Sequence, residues 1–369
     1  MMTRWLCIAL LALVLPGGAG CVGDCKLAGS PAGQPLNFMA QYAADVCLGP
    51  SGATGLAVAI TTPEGLLGVG SAGLADADTG AELAFNSAFR LGPVSELFAS
   101  ALIVRMVDDG RIDLDSQVAT RVPEAATEEP LAIRHLLAHR SGLKDYTAIA
   151  SIDLTVGSTP AGLLTAAVAK GLQFTPGDKH ALSATNYLAL GLYVEDLLGM
   201  PWGQALHQEL LDPFGLGATF VDGYDALPDT LAKGHNANGK DITDRMHPDN
   251  TGAALGVISN TTDVERLLRL LFEDDTFLSE ASRLELRFPA EASAGDPGFG
   301  FGVQIDHLDG EEVWQRSGAH PGGYSAAVTF RPDLGVAGVA LLTGKPSSPA
   351  MVSELALAYG LQATDQPEE

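Results

Sequence analysis

Two stretches carry side chains whose type and spacing could do chemistry. The first is FRLGPVSELF (89–98), where a Gly-Pro step ends an extended run and opens a long apolar helix. Ser95 and Glu96 fall in its first turn. Free N–H groups and the positive end of the helix dipole meet at such a start, which suits a nucleophile or a bound anion. The second is IRHLLAH (133–139), where His135 and His139 stand four residues apart, a spacing that could hold a metal. No His-Glu-x-x-His pattern accompanies them, so core or helix-capping roles are expected instead.

These residues need a scaffold, and the chain is long enough to build one. It has 369 residues, 46% of them apolar, so a large core is available. Apolar spacing predicts helices at about 37–47, 93–109, 131–139, 186–199, 202–215, 262–274 and 349–360. Strands are predicted at 55–62, 66–75, 299–306, 311–316, 324–332 and 335–343. Residues 140–180 mix loop and helix, and 218–250 are polar and loop-rich. Strands thus lie at both ends of the sequence and helices in the middle. The simplest arrangement is an α/β (α+β) fold: one antiparallel sheet built from both chain ends, flanked by helices, with a mostly helical insertion.

Charge narrows the functional classes. With 21 basic and 45 acidic residues, the net charge is −24. That excludes nucleic acid and anionic membrane surfaces as natural partners, since both call for basic patches. It suits a solvated, exported protein.

The N-terminus reads as an address. Met1–Arg4 is a short positive region and Trp5–Leu15 an eleven-residue apolar stretch, too short to span a membrane as a mature helix. Pro16–Gly20 is a small-residue segment ending at Cys21, which resembles the lipobox of bacterial lipoproteins, with Gly18 where Leu is usual. Residues 1–20 are therefore expected to be a lipoprotein-type signal, 21–36 a tether, 37–362 one domain and 363–369 a polar tail. Cys7 leaves with the signal. With Cys21 acylated, Cys25 and Cys47 can pair as a disulfide, or remain thiols.

Several phrases, in order across about 300 residues, resemble the penicillin-recognising serine hydrolases: class C β-lactamases, D-alanyl-D-alanine carboxypeptidases and related esterases. They are FRLG (89–92), VDDGRIDLDSQV (107–118), IRHLLAHRSGL (133–143), FTPGDKHALSATNYLALG (174–191), DPFGLGAT (212–219), GVISNTTDVERLLRLL (256–271) and RSGAHPGGYSA (316–326). The resemblance implies the β-lactamase/transpeptidase fold and acyl transfer. A helix-start serine attacks a carbonyl, a lysine one turn on helps take its proton, a Tyr-x-Asn motif supplies a second relay, and a strand Lys or His lines the opposite wall.

Register places Pro93 at the nucleophile and Glu96 at the lysine. Leu182 stands at the tyrosine, Ala184 at the asparagine, and Arg316 at the strand Lys or His, with Ser183, Ser317 and Gly318 retained. Ser95 falls roughly 200° round the helix from the nucleophile position and should point away. Ser141-Gly-Leu-Lys144 is the literal Ser-x-x-Lys of the chain, but it sits in the family's loop phrase. The pattern implies a degenerate site in which Glu96 and Arg316 form an ion pair. Glu96, Ser183, Arg316, Ser317 and His320 are the candidates to touch a ligand, with His180 also near the cleft. The reading is a pseudoenzyme at the cell envelope, binding a peptidoglycan peptide or an envelope protein and held to the membrane by lipid alone. The alternative is an active hydrolase using Ser95, Ser183 or Ser317. No metal or organic cofactor is implied.

Overall fold

GLAVAIT (55–61) is apolar at every position but its last, the pattern of a strand covered on both faces. The computed structural model shows why. It describes Cys25 and residues 34–62, 64–287, 298–308, 310–344 and 349–364. The signal-like segment with Cys21, most of the tether and the last five residues of the tail lie outside the described residues.

The first half of the chain runs α1 (Leu36–Ser51), β1 (Gly55–Thr61), β2 (Leu67–Asp76), β3 (Ala81–Glu82), β4 (Phe89–Arg90), α2 (Ser95–Asp108), α3 (Ile133–Leu137), α4 (Pro160–Val168) and α5 (Ala184–Leu198). Next come α6 (Trp202–Leu206), β5 (Phe220–Val221), α7 (Gly252–Leu255), β6 (Val257–Ser259), α8 (Thr261–Phe272) and α9 (Glu280–Leu286). The chain closes with β7 (Gly298–Phe299), β8 (Gln304–Leu308), β9 (Glu311–His320), β10 (Tyr324–Arg331), β11 (Val336–Thr343) and α10 (Pro349–Thr364).

The main sheet has eight strands in the order β3-β2-β1-β11-β10-β9-β8-β7, and its pairings are antiparallel. The N-terminal hairpin therefore docks on the C-terminal strands through β1 and β11, as expected from strands at both chain ends. A small second sheet, β4-β6-β5, was not foreseen. Side chains alternate across the main sheet. Leu56, Val58, Ile60, Ala340 and Leu342 meet α1 and α10 on one face. Ala57, Ala59, Val339 and Leu341 join the larger core under α2, α5 and α8 on the other.

Some boundaries differ from the sequence pattern. The segment 131–139 is helical only over Ile133–Leu137, because His139 takes a positive φ of 51° and ends it. The stretch 202–215 is α-helical to Leu206 and then switches to wider π-type turns over His207–Leu211, where Asp212 N donates to His207 O at 3.0 Å. The strand expected at 311–316 continues to His320, each residue from Trp314 onward pairing with β10. The last helix reaches Thr364, two residues past the expected domain edge.

Cys25 and Cys47 come together as thiols, with a hydrogen bond between them. Cys47 lies on the fully buried face of α1. A hydrogen bond to Cys25, with burial, pushes its thiol well above the usual range. Protein exported into an oxidising compartment is expected to carry this pair as a disulfide. Intact mass should then be 2 Da lower than the reduced form. Closing the loop should contribute about 3 kcal/mol, so reduction should lower the melting temperature by a few degrees. Quantitative alkylation of both thiols in native, unreduced protein would refute the pairing.

Candidate functional site

Proline at 93 shapes the start of α2. Pro93 has no N–H to give, and Gly92–Val94 form a tight 3₁₀ turn before the helix proper begins at Ser95. Gly92 sits at φ 55°, a left-handed conformation that brings it against the backbone of Ala319 and His320. The Pro93 ring lies directly on β9 at Gly318, where a Cβ would come within 2.4 Å of the ring. Any larger residue at 318 would collide with it.

Beneath that contact the charges converge. Arg316 donates from Nη2 to Glu96 Oε2 and from Nε to Pro93 O at 3.2 Å. The ion pair expected from the sequence is therefore present. Glu96 is 1% exposed and Arg316 5%, so the pair is sealed from solvent. A third member comes from the helical half: His139 Nε2 lies 3.1 Å from the same Glu96 oxygen. His139 Nδ1 accepts from Ser183 N at 3.1 Å and faces Asn186 Nδ2 at 3.0 Å. With Nδ1 accepting, the ring proton sits on Nε2 and points at the carboxylate. Ser141 Oγ donates to Asn186 Oδ1 at 2.5 Å and accepts from Leu143 N at 3.0 Å. Ser141 is thus a buried hydroxyl committed to Asn186 and Leu143.

Sequence reasoning missed two of these partners. His139 read as a core or capping residue; it is buried, but it also binds the site's carboxylate. Phe299 was not singled out at all. Its ring meets His139 edge-on at 4.8 Å, stacks near His180 at 6.4 Å and lies 5.6 Å from the Arg316 guanidinium. It covers the cluster and adds a cation–π contact. The positive φ of His139, alone among the described non-glycine residues, is a structural sign of constraint at this spot.

The other candidates do not gather round an open centre. Leu182 is 52% exposed at the position assigned to the relay tyrosine, and Ala184 begins α5. Ser183 and His320 are buried, so of the five expected ligand contacts only Ser317 is exposed. Arg316 and Gly318 face Pro93. The strand pleat turns Ser317 away from them. Ser95 points away from the cleft, as expected, and its Oγ accepts from Val257 N at 3.0 Å. The buried tyrosines beside the cluster are committed to backbone carbonyls. Tyr187 donates to Leu137 O, and burial, then the negative charge of Glu96, pushes its hydroxyl far up. Tyr146 is likewise pushed up by burial and donates to Asn250 O. Among the described residues, no cluster of three or more His, Cys, Asp or Glu could hold a metal.

The arrangement has known counterparts. Residues 43–361 match the Beta-lactamase family model. The chain belongs to the beta-lactamase family. Penicillin-binding protein 4 of Amycolatopsis lactamdurans is 28% identical over 74% of this chain and 77% of its own length. Penicillin-binding protein 4* of Bacillus subtilis is 27% identical over 64% of this chain, but only 56% of that protein is spanned. Teichoic acid D-alanine hydrolase of Staphylococcus aureus is 25% identical, with 45% of this chain and 41% of that protein covered. Among solved structures, D-amino acid amidase from Ochrobactrum anthropi SV3 superposes with a TM-score of 0.76 at 20% identity, covering 90% of this chain and 99% of that one. D-stereospecific amidohydrolase from Streptomyces gives 0.75 at 24% identity, over 87% and 98%. These structures establish a shared β-lactamase-type fold.

Within that fold the buried pair has a testable energy. Removing one partner leaves an uncompensated buried charge, at a cost of about 3–5 kcal/mol. E96Q and R316M are each expected to lose that much stability in guanidinium denaturation. The double variant E96L/R316M should lose clearly less than the sum. Additive losses would show that the two side chains do not act as a pair.

Proposed function

We propose that this beta-lactamase-family chain is a pseudoenzyme: an exported protein that keeps the family's fold, lacks its serine acyl-transfer reaction, and binds or scaffolds at the cell envelope. One observation carries the reading. Proline occupies the position assigned to the nucleophile and its ring is seated on β9 at Gly318. A proline offers no hydroxyl, so no acyl-enzyme forms there. The neighbouring Glu96 supports the same reading. Its carboxylate is engaged by Arg316 and His139 rather than available as a base.

The cell-envelope setting draws on the signal-like N-terminus and on relatives whose names refer to penicillin binding and teichoic acid. A peptidoglycan peptide or an envelope protein is the partner proposed on these grounds, with Cys21 as the lipid attachment. A second reading, hydrolysis by a displaced serine, is favoured by one fact, the exposure of Ser317. Ser95 is committed to Val257 N, and Ser183 Oγ is buried with no hydrogen-bond partner among the described residues.

Labelling the purified protein with a fluorescent penicillin and a fluorophosphonate, read by intact mass, tests the choice. No adduct is expected with either probe. P93S alone should also stay unlabelled, because restoring the hydroxyl does not restore a free base beside it. A stoichiometric adduct on the wild-type chain, mapped to one serine, would overturn the pseudoenzyme reading and name the nucleophile.

A further inference from the structure

With 45 acidic residues against 21 basic ones, arginines in this chain are rarely left alone. Each described arginine but one has a side-chain partner, either a carboxylate or a backbone carbonyl. The exception is Arg245, whose guanidinium has no partner among the described residues. It lines a pocket of about 560 Å³ with Ser151, Ile152, Asp153, Thr155 and Pro321. That volume falls within the range of sites for small ligands.

Asp153 is the opposite charge in the same pocket, and no ion pair joins the two among the described residues. Thr155 Oγ1 and N donate to Asp153 Oδ1 at 2.7 and 2.9 Å, leaving Oδ2 open. The bond from the Thr155 hydroxyl, then that from its backbone, keeps this carboxyl below its usual range and so ionised. The carboxylate is thus held in place rather than swinging over to Arg245. Ile152 and Pro321 add apolar surface beside the two charges.

We propose that this pocket binds a small zwitterion, an amino acid or short peptide with free ends, its carboxylate on Arg245 and its ammonium on Asp153. A simple anion such as phosphate would meet the repulsion of Asp153. A simple cation would meet that of Arg245. Pro321 opens the turn just past the end of β9. The pocket lining shares no residue with the sealed Glu96–Arg316–His139 cluster, and it stands whether or not the family's reaction has been lost.

Calorimetric titration of the purified protein with alanine and alanyl-alanine, beside the N-acetyl and amide forms of the dipeptide and inorganic phosphate, tests it. The free dipeptide is expected to bind. R245A and D153N should each weaken it by about 10-fold, the scale of one charge-assisted hydrogen bond. The N-acetyl form should bind weakly and be indifferent to D153N, and the amide indifferent to R245A. Arg245 and Asp153 are both exposed, so the variants should melt as the wild type does. No saturable binding of either free compound up to about 20 mM, or binding unchanged in R245A, overturns the proposal. Phosphate binding that R245A abolishes and D153N strengthens does so too, marking a plain anion site. These readouts are non-covalent, so they fail or succeed independently of the penicillin and fluorophosphonate labelling.

Discussion

A carboxylate buried to about 1% exposure cannot stand alone in a protein interior, and the middle of this molecule is arranged around that fact. Glu96 leaves the first turn of α2 and is met by Arg316 from the sheet and by His139 from the helical half. His139 is in turn fixed by Ser183 N and Asn186, and Asn186 by Ser141. The result is one polar chain linking β9, α2, the segment after α3 and the start of α5. Buried pairs of this sort contribute little net stability compared with apolar packing, but breaking one is costly. Their effect is to fix how the parts sit together. Phe299 closes the cluster and keeps water from it.

On the pseudoenzyme reading proposed above, the same cluster lets the family fold persist without the family's reaction. Proline at 93 suits a helix start, and an acid in the first turn of α2 complements the dipole. Each replacement is favourable locally. On that reading, a free nucleophile beside a poised base has given way to a buried, fully paired charge. Gly318, free of a side chain, is what lets the proline ring lie against the strand.

Much of this was legible in the sequence, for identifiable reasons. β1 and β11 read as strands because nearly every residue is apolar, and α8 because its apolar face repeats at helical spacing. Glu96 and Arg316 could be paired in advance because FRLG and RSG fix their registers at two walls of one cleft. His139 could not. Its place in IRHLLAH looks helical, and only the left-handed turn after Leu137 swings the ring toward α2. Phe299 sits in a two-residue strand without a motif. The strand expected to stop at Arg316 runs on, because pairing with β10 holds residues 317–320 extended. Arg245 was passed over because being unpaired is a property of three-dimensional surroundings, not of residue type.

The docking of α1 against α10 bears on how the molecule is presented. Both cover the face of the sheet opposite α2 and the large core, so the two ends of the domain emerge on one side. Were the chain tethered ahead of α1, as proposed above, the face carrying α1 and α10 would be the one nearest the attachment, with the helical half on the far side of the sheet.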